Sequence, residues 1–405
     1  MTDTSGLRGQ RVLVIGASGF LGGRLVERLV AECGAQVRIL IRRIATGSTA
    51  VRFPVEVHVG DLTDARAVDR AVAGCTVVFN CAKGSGGDPG HRRAVDIDAS
   101  AHVVEAAARA GARVVHVSSL AVYDLPRAGD VDEQTPPAPP GDPYSDQKLA
   151  GERQALDTGA RLGVPVTVLQ PTVVYGPRAT VHASDILEEM RTGRLVLVDG
   201  GSGTCNAVYI DDVVTALLLA AVRDEAAGQR LLISGPEHPT WAEFFGCFER
   251  MLGRPATVNL TEAQALALWH RSQRRRSLLG EGLRLVRDDH DIRTRLLATR
   301  EGATVRTAVK RVAPGLLRLV RSRPRELSVG AALTAHAPPS TGTATASDTL
   351  VDVAPSRPWV VQYLAKRATV RISRAEQVLG YQPAFGLHEG MRLTEAWARW
   401  ARLLS

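Results

Sequence analysis

The 405-residue sequence predicts an α/β fold in which helices cover both faces of a doubly wound parallel sheet. Two observations support this prediction. Short runs rich in β-branched residues alternate with helix-length segments, which is typical of parallel sheets. A glycine-rich stretch follows the first of these runs and opens a helical pattern. The composition, with 45% hydrophobic and 23% charged residues, is that of a globular protein and excludes disorder along the whole chain.

The predicted strands lie at intervals within the first 171 residues. The first, Arg11–Ile15, is followed by glycines and then by apolar residues at helical spacing. Further strands are predicted at Val37–Ile41, Val55–Val59, Val77–Asn80, Val114–Val117 and Val166–Leu169. Five or six such strands complete a Rossmann-type sheet, so we expect a dinucleotide-binding domain over residues 10–177.

Beyond residue 177 the pattern indicates a smaller substrate lobe interleaved with the sheet. Helical segments and one short strand follow one another less regularly there. Segments near residues 205–235 are expected to return to the first domain. The lobe itself is then expected to comprise residues 178–204, 236–268 and 357–405.

The basic charge of the chain is concentrated in one segment. The formal net charge is +8, and residues 271–325 contain 16 Lys and Arg against 5 Asp and Glu. Leucines and valines interleaved with these arginines predict a basic helical insertion over residues 269–330. This insertion either packs on the substrate lobe as a lid or contacts anionic lipid headgroups as a peripheral membrane element. Residues 331–356, rich in Ala, Thr, Ser and Pro, are predicted to be a flexible linker.

Composition and spacing also disfavour several classes of protein. The longest apolar runs are far shorter than the ~20 residues that span a bilayer. The first ten residues lack the apolar core of a signal peptide, so we expect a cytoplasmic protein whose five cysteines are reduced. Histidines and cysteines show no spacing typical of a metal site, and no nucleic-acid-binding module is recognisable. We therefore expect a small-molecule substrate and neither metal nor nucleic acid.

The stretch GASGFLG, at residues 16–22, is the first candidate binding element. It lies between a predicted strand and a predicted helix. Glycines there allow a tight turn and let a pyrophosphate approach the helix N-terminus, which offers free N–H groups. We expect the stretch to bind a dinucleotide through Gly16, Ser18, Gly19, Phe20, Leu21 and Gly22.

The end of the second strand selects the form of the dinucleotide. An acidic residue there binds a free ribose 2′-hydroxyl, whereas arginine accepts a 2′-phosphate. Arg42 and Arg43 stand at this position and no carboxylate does, which favours NADP over NAD. After the third strand, Asp61 and Leu62 are expected beside the adenine ring, although Asp61 equally fits the N-cap of the next helix.

Tyr144 and Lys148 form the candidate catalytic pair. Residues four apart on a helix share one face, so the ammonium can lower the pKa of the phenol and hold the nicotinamide ribose. The phenol is then a general acid or base for a carbinol proton. Upstream, Ser118 and Ser119 follow a predicted strand, where a serine hydroxyl can orient a substrate oxygen.

These motifs resemble the extended short-chain dehydrogenase/reductase family, also known as NAD-dependent epimerases/dehydratases. The similarity covers about residues 10–250 and 359–400 and includes GASGFLG, YSDQK, QPTVVYGP and VYIDDVV. The resemblance implies that Tyr144 is the catalytic acid/base, that Lys148 is its partner and that Ser119 orients the substrate. It also implies a homodimer with a four-helix interface.

Departures from the family pattern bear on the reaction. Leu120 and Ala121 stand where sugar 4,6-dehydratases place an Asp–Glu pair, so dehydration is disfavoured. Residues 204–207 lack the arginine with which many nucleotide-sugar members hold a diphosphate. Asp96 replaces the usual Asn of the proton relay, and Gln170 replaces a common Arg.

We therefore expect an NAD(P)-dependent oxidoreductase that reduces a ketone or oxidises a secondary alcohol of a sugar-like or polycyclic substrate. A sugar epimerase with tightly bound NAD is the close alternative. A non-catalytic cofactor-sensing or membrane-associated scaffold is the second alternative. The intact set of Ser119, Tyr144 and Lys148 argues against a scaffold.

Overall fold

The structure is a computed structural model that describes residues 4–44, 47, 50–84, 88–274 and 353–404. The expected basic insertion from residue 275 onward lies outside the described residues. The same holds for the expected linker up to residue 352.

The described chain alternates strands and helices in its first half. The strands are β1 (Arg11–Ile15), β2 (Gln36–Ile41), β3 (Glu56–Val59), β4 (Val77–Asn80), β5 (Arg113–Val117), β6 (Ala128–Val131), β7 (Val166–Pro171), β8 (Val173–Tyr175), β9 (Leu195–Val198), β10 (Ala207–Tyr209), β11 (Arg230–Ile233), β12 (Thr257–Leu260) and β13 (Arg367–Val370). The α-helices are α1 (Phe20–Ala31), α2 (Ala65–Val72), α3 (Pro89–Arg93), α4 (Ala99–Ala110), α5 (Pro143–Leu162), α6 (Asp185–Thr192), α7 (Ile210–Val222), α8 (Trp241–Leu252), α9 (Glu262–Arg274), α10 (Pro358–Leu364), α11 (Ser373–Leu379) and α12 (Leu387–Trp400).

Seven strands form one parallel sheet in the order β3-β2-β1-β4-β5-β7-β11. The predicted Rossmann-type sheet is thereby confirmed. Six of its strands come before residue 172, and β11 returns from the second half of the chain to add the seventh. The strand order reverses between β1 and β4, and ligands of such sheets lie beyond the carboxyl ends of the strands at this point.

Helices cover both faces of the sheet because successive strand residues point to opposite sides. In β1, Val12 and Val14 pack with the apolar residues of α1 and α7. Leu13 and Ile15 pack on the other face with residues of α2, α4 and α5. All four side chains are buried, so the strand is covered on both sides as a doubly wound fold requires.

The smaller lobe has an apolar core of its own, built from α6, β9, α8, α10 and α12. Its centre is aromatic. The ring centroids of Tyr175 and Phe244 lie 5.7 Å apart, and those of Phe244 and Phe248 lie 5.6 Å apart, both in edge-to-face geometry. Leu387 and Met391 of α12 pack into the same core. The C-terminal helix therefore completes the lobe.

Two of the expected domain boundaries need correction. Helix α9 continues past residue 269, so the expected start of the basic insertion lies inside a helix. At the other end, Val353 forms a β-bridge with Arg194 and is buried in the core of the lobe. Ser356 is buried as well. These last residues of the expected linker are packed, because Val353 supplies an apolar side chain to the core.

The most apolar of the helices is α7, with 13 residues. A membrane-spanning helix needs about 20 residues. Among the described residues, no helix is both long enough and apolar enough to cross a membrane.

Helix α6 carries the buried carboxyl group of Glu189, which makes the stability of the folded state depend on pH. Its Oε1 atom has no hydrogen-bond partner among the described residues. Burial raises the pKa of Glu189 from 4.5 to about 9. The folded state therefore retains a proton that the unfolded state loses above pH 4.5, and stability falls as the pH rises through this window.

We expect Glu189→Gln to be more stable than the unsubstituted protein at pH 8, and to show a flatter dependence of stability on pH between 6 and 8. The amide is neutral at both pH values and carries no ionisation cost. Urea unfolding at the two pH values measures this, with Glu188→Gln on the same helix as the control because Glu188 pairs with Arg191 at the surface. Parallel pH profiles of Glu189→Gln and the unsubstituted protein would contradict the prediction.

Candidate active site

The glycines between β1 and α1 are fixed by close packing. Gly16 has φ +80°, and a Cβ there would lie 2.7 Å from the carbonyl oxygen of Cys81 at the end of β4. A Cβ on Gly22 would overlap the carbonyl oxygen of Gly16. Gly19 is different, because its Cβ would approach only the carbonyl oxygen of Gly16, at 3.2 Å. The open side of Gly19 is therefore available to a ligand.

The start of α1 fits the pyrophosphate of a dinucleotide. Gly19 is the N-cap and supplies no side-chain acceptor, and the first turn contains no acidic residue. The N–H groups of this turn are thus free for an anion, which the positive end of the helix dipole also favours. Ser18 is exposed beside them. Phe20 and Leu21 instead pack against the core of the smaller lobe, so only their backbone can face a nucleotide.

The loop after β3 contains Asp61, for which the sequence left open a role as the N-cap of α2. Asp61 does not cap α2; the cap is Asp64, which accepts the N–H of Arg66. Asp61 accepts hydrogen bonds from the N–H and Oγ1 of Thr63, at 2.9 and 2.8 Å. Burial raises the pKa of Asp61, but these hydrogen bonds and the charges of His91 and Arg42 outweigh it and the net pKa is lowered.

The remaining expected nucleotide contacts lie close to this loop. The charge of Arg42 acts on Asp61, so the strand end and the loop after β3 are neighbours. Arg43 is exposed at the same strand end. The side chain of Leu62 is buried in the core beneath α2 and α4, which leaves only its backbone for an adenine ring.

Tyr144 lies in the first turn of α5. Asp142 caps this helix and accepts the N–H groups of Tyr144 and Ser145. Pro143 occupies the first helical position, where the N–H group that proline lacks would have no partner within the helix. Burial raises the pKa of Tyr144, while the charge of Lys83 and a hydrogen bond with Ser119 lower it. The phenol and the predicted serine hydroxyl are thus brought together.

Ser119 is placed by its own turn. It caps the short 3₁₀ helix Leu120–Val122, and its Oγ accepts the N–H of Ala121 at 3.2 Å. The neighbouring Ser118 is buried, and its hydroxyl has no hydrogen-bond partner among the described groups. The structure therefore brings Ser119, and not Ser118, to the phenol.

Lys148 lies one turn after Tyr144 and is buried. Its Nζ lies 3.4 Å from the carbonyl oxygen of Ala82 and 3.3 Å from that of Val117, at the carboxyl ends of β4 and β5. Burial lowers the pKa of Lys148, and the charge of Asp96 opposes this. We expected Lys148 to lower the pKa of Tyr144, but in this structure the cation that does so is Lys83.

Asp96 lies in a π-helical turn, Ala94–Asp98, that leads into α4. Such turns are frequent at functional sites. Its Oδ1 accepts the N–H of Gly84 at 2.9 Å, and its side chain is buried. The backbone of Asp96 also touches α5, because a Cβ on Gly151 would overlap the carbonyl oxygen of Asp96. A buried carboxylate thus stands beside the Tyr144–Lys148 helix.

Gln170 contributes to the support of the same helix. The Tyr123 hydroxyl donates to Gln170 Oε1 at 2.9 Å, and Gln170 Nε2 donates to Glu152 Oε2 at 2.8 Å. Glu152, on α5, is fully buried and lies 3.5 Å from Arg230. This buried chain joins α5 to β7 and fixes the position of the candidate catalytic residues.

Sequence reasoning missed Lys83, which lies beside the phenol, and His182, on which the charge of Lys83 acts. The Lys83 ammonium lies 5.0 Å from the centroid of the Tyr144 ring, within cation–π range. The Nδ1 atom of His182 lies 3.0 Å from the carbonyl oxygen of Val174, and burial, with a smaller contribution from Lys83, lowers the pKa of His182 to about 4. Lys83 could have been found, since it is one of only four lysines and lies three residues after the end of β4.

The fold and this site define a class of protein: dinucleotide-binding α/β proteins with a serine, a tyrosine and a lysine at the carboxyl ends of the central strands. The sequence matches the NAD dependent epimerase/dehydratase family over residues 12–233. This is more than half of the chain, and the protein belongs to that family.

The known proteins to which the chain is similar include a ketoreductase and an epimerase. The chain is 30% identical over 235 residues to a 4-hydroxy-2-methyl-3-oxo-4-farnesyl-3,4-dihydroquinoline-1-oxide ketoreductase of Stigmatella aurantiaca, covering 56% of this chain and 68% of that protein. It is also 30% identical over 270 residues to a UDP-glucose 4-epimerase of Mycolicibacterium smegmatis, covering 60% and 83%. The fold resembles that of UDP-glucuronic acid 4-epimerase from Bacillus cereus in complex with NAD, with a TM-score of 0.63, 17% identity and coverage of 96% and 99%.

Proposed function

We propose that the protein is an NAD(P)-dependent oxidoreductase that interconverts a ketone and a secondary alcohol. One observation carries this proposal: the Ser119 hydroxyl lies beside the Tyr144 phenol, close enough to lower its pKa, and the helix of Tyr144 also carries the buried Lys148. This group lies at the same edge of the sheet as the open glycine turn. A ketoreductase among the relatives supports the assignment.

The dinucleotide and the protein transfer different groups in the reaction. When bound, the nicotinamide supplies or accepts a hydride. Tyr144 gives a proton to the ketone oxygen in reduction and takes it from the alcohol in oxidation. Ser119, which lies beside the phenol, orients the same oxygen. The two hydroxyl groups therefore hold the reacting C–O group from one side.

Lys148 acts from behind the phenol. Its ammonium is anchored between the carbonyl groups at the ends of two neighbouring strands, Ala82 and Val117. An ammonium held there is placed to contact the ribose of the dinucleotide. The buried Asp96 carboxylate favours the charged form of Lys148 and keeps the cation in place despite its burial.

The dinucleotide is proposed to be NADP, with Arg43 as a contact of the 2′-phosphate. Arg42 and Arg43 are both exposed at the end of β2, and the charge of Arg42 also acts on Asp61. Arginine at this position accommodates a 2′-phosphate. The solved complex of a related fold contains NAD, so NAD is the alternative.

We expect Arg43→Ala to weaken NADPH binding by about 30-fold, the usual size of a lost charge-assisted hydrogen bond, and to leave NADH binding nearly unchanged. Fluorescence titration of the purified protein with both dinucleotides measures the two affinities. Arg66→Ala, which removes an exposed arginine from α2, is the control. Equal weakening for NADPH and NADH, or none for either, would contradict the assignment.

An epimerase is the second candidate, because an epimerase is among the relatives and the same residues serve its chemistry. Dehydration is disfavoured, since Leu120 and Ala121 carry no acid or base where dehydratases need a carboxyl pair. Leu120 is moreover buried.

Denaturing the purified protein and identifying any released dinucleotide by mass separates the two candidates. NAD recovered in near-equal amount to the protein would favour the epimerase. A protein that is purified empty and binds NADPH far better than NADH would support a reductase that exchanges its cofactor in each cycle.

A further inference from the structure

Lys83 lies beside Tyr144 without an ion-pair partner among the described residues. Its side chain is exposed, and in the part of the chain that the structure describes no carboxylate lies within ion-pair distance of its ammonium. Its contact is with the face of the Tyr144 ring, at 5.0 Å from the centroid. A cation at the carboxyl end of a central strand lies where such sheets bind their ligands.

The other charged groups beside the phenol are already engaged. Lys148 is turned to the carbonyl groups of Ala82 and Val117. The Asp96 carboxylate is buried and accepts the N–H of Gly84. The Asp142 carboxylate accepts the N–H groups of Tyr144 and Ser145 at the start of α5. His182, on which the charge of Lys83 acts, is held through Nδ1 by the carbonyl of Val174 and is neutral near pH 7. Among the described residues whose charge acts on Tyr144, Lys83 is therefore the cation available to a ligand.

We propose that Lys83 binds a carboxylate on the substrate, whose carbon is two bonds from the carbon that exchanges the hydride. Tyr144 and Ser119 hold the reacting oxygen, and the Lys83 ammonium lies over the face of the Tyr144 ring. A short acid can therefore place its hydroxyl or ketone at Tyr144 and its carboxylate at Lys83. The substrate class is then a 3-hydroxy or 3-oxo acid. This inference rests on the proposed oxidoreductase function, which it makes more specific.

The test compares oxidation of 3-hydroxydecanoate with oxidation of its methyl ester, using NADP and NAD as acceptors. The unsubstituted protein should prefer the acid. In Lys83→Gln we expect the ratio of kcat/KM for the acid to that for the ester to fall by about 30-fold. Lys83→Arg should keep most of the preference. Any effect of Lys83 on the Tyr144 proton is common to both substrates and cancels in the ratio.

An unchanged ratio in Lys83→Gln, with turnover of both compounds, would overturn the carboxylate assignment while the oxidoreductase function stands. Binding decides the case in which neither compound is oxidised. Calorimetry on Tyr144→Phe with NADPH present should show the acid bound more tightly than the ester, and Tyr144→Phe combined with Lys83→Gln should lose that difference. Preference without turnover would retain the subsite and count against the oxidation. Absence of preference would overturn the subsite.

Discussion

Tyr144→Phe is expected to lower turnover by about 1,000-fold, within the usual range for a lost general acid or base. The substitution removes only the hydroxyl that lies beside Ser119, and it leaves the ring that packs beneath Lys83. Affinity for the dinucleotide should stay nearly unchanged, because the glycine turn and α1 are untouched. Steady-state kinetics and a fluorescence titration measure the two quantities.

Tyr209→Phe is the matched control, since Tyr209 is buried and packs on Tyr175 and Phe385 in the smaller lobe. It should retain turnover. If Tyr144→Phe kept more than a tenth of the activity, another group would have to supply the proton, and the role of Tyr144 would be refuted.

Gly151→Ala is expected to destabilise the protein by about 3 kcal/mol, because a methyl group there overlaps the carbonyl oxygen of Asp96. The overlap is with backbone, so no side-chain rotation relieves it. Helix α5 would have to move away from the π-helical turn, and it carries both Tyr144 and Lys148. We therefore expect turnover to fall together with stability. Urea unfolding and steady-state kinetics measure the two effects.

The control is Gly246→Ala in the interior of α8, where a Cβ would meet only the end of the Arg250 side chain, at 3.6 Å. Replacing glycine by alanine within a helix typically stabilises it by about 0.5–1 kcal/mol. A Gly151→Ala protein as stable as the Gly246→Ala protein would show that α5 does not press on Asp96 as described.

The central sheet could be predicted from the sequence because each strand is signalled locally. Apolar β-branched runs such as Val77–Asn80 and the glycine turn before α1 need no information from distant residues. The pairing of β6 with β13 could not be predicted, since it joins Ala128–Val131 to Arg367–Val370 across the whole second lobe. Both strands have four residues, and no local pattern specifies such a partner.

Part of the candidate site could likewise be predicted from the sequence, and part could not. The pair Tyr144 and Lys148 shares one helix, so its spacing alone predicts the arrangement. Lys83 meets the phenol from the loop after β4, and its charge acts on His182, so both positions depend on where β4 and the turn after β8 come to lie. The choice of Asp64 over Asp61 as the cap of α2 depends on where the helix starts, which is the least certain feature of any helical pattern.

Transfer of deuterium from [4,4-²H₂]NADPH to a panel of ketones is the most direct measurement of oxidoreductase activity. We expect deuterium on the carbinol carbon of the alcohol formed by the unsubstituted protein. We expect at least 100-fold slower labelling with Tyr144→Phe, in keeping with the ~10²–10⁴-fold contribution of a general acid. Purified protein that binds the dinucleotide and transfers deuterium to none of the ketones, while interconverting epimeric sugars without net labelling, would contradict the oxidoreductase assignment and establish an epimerase.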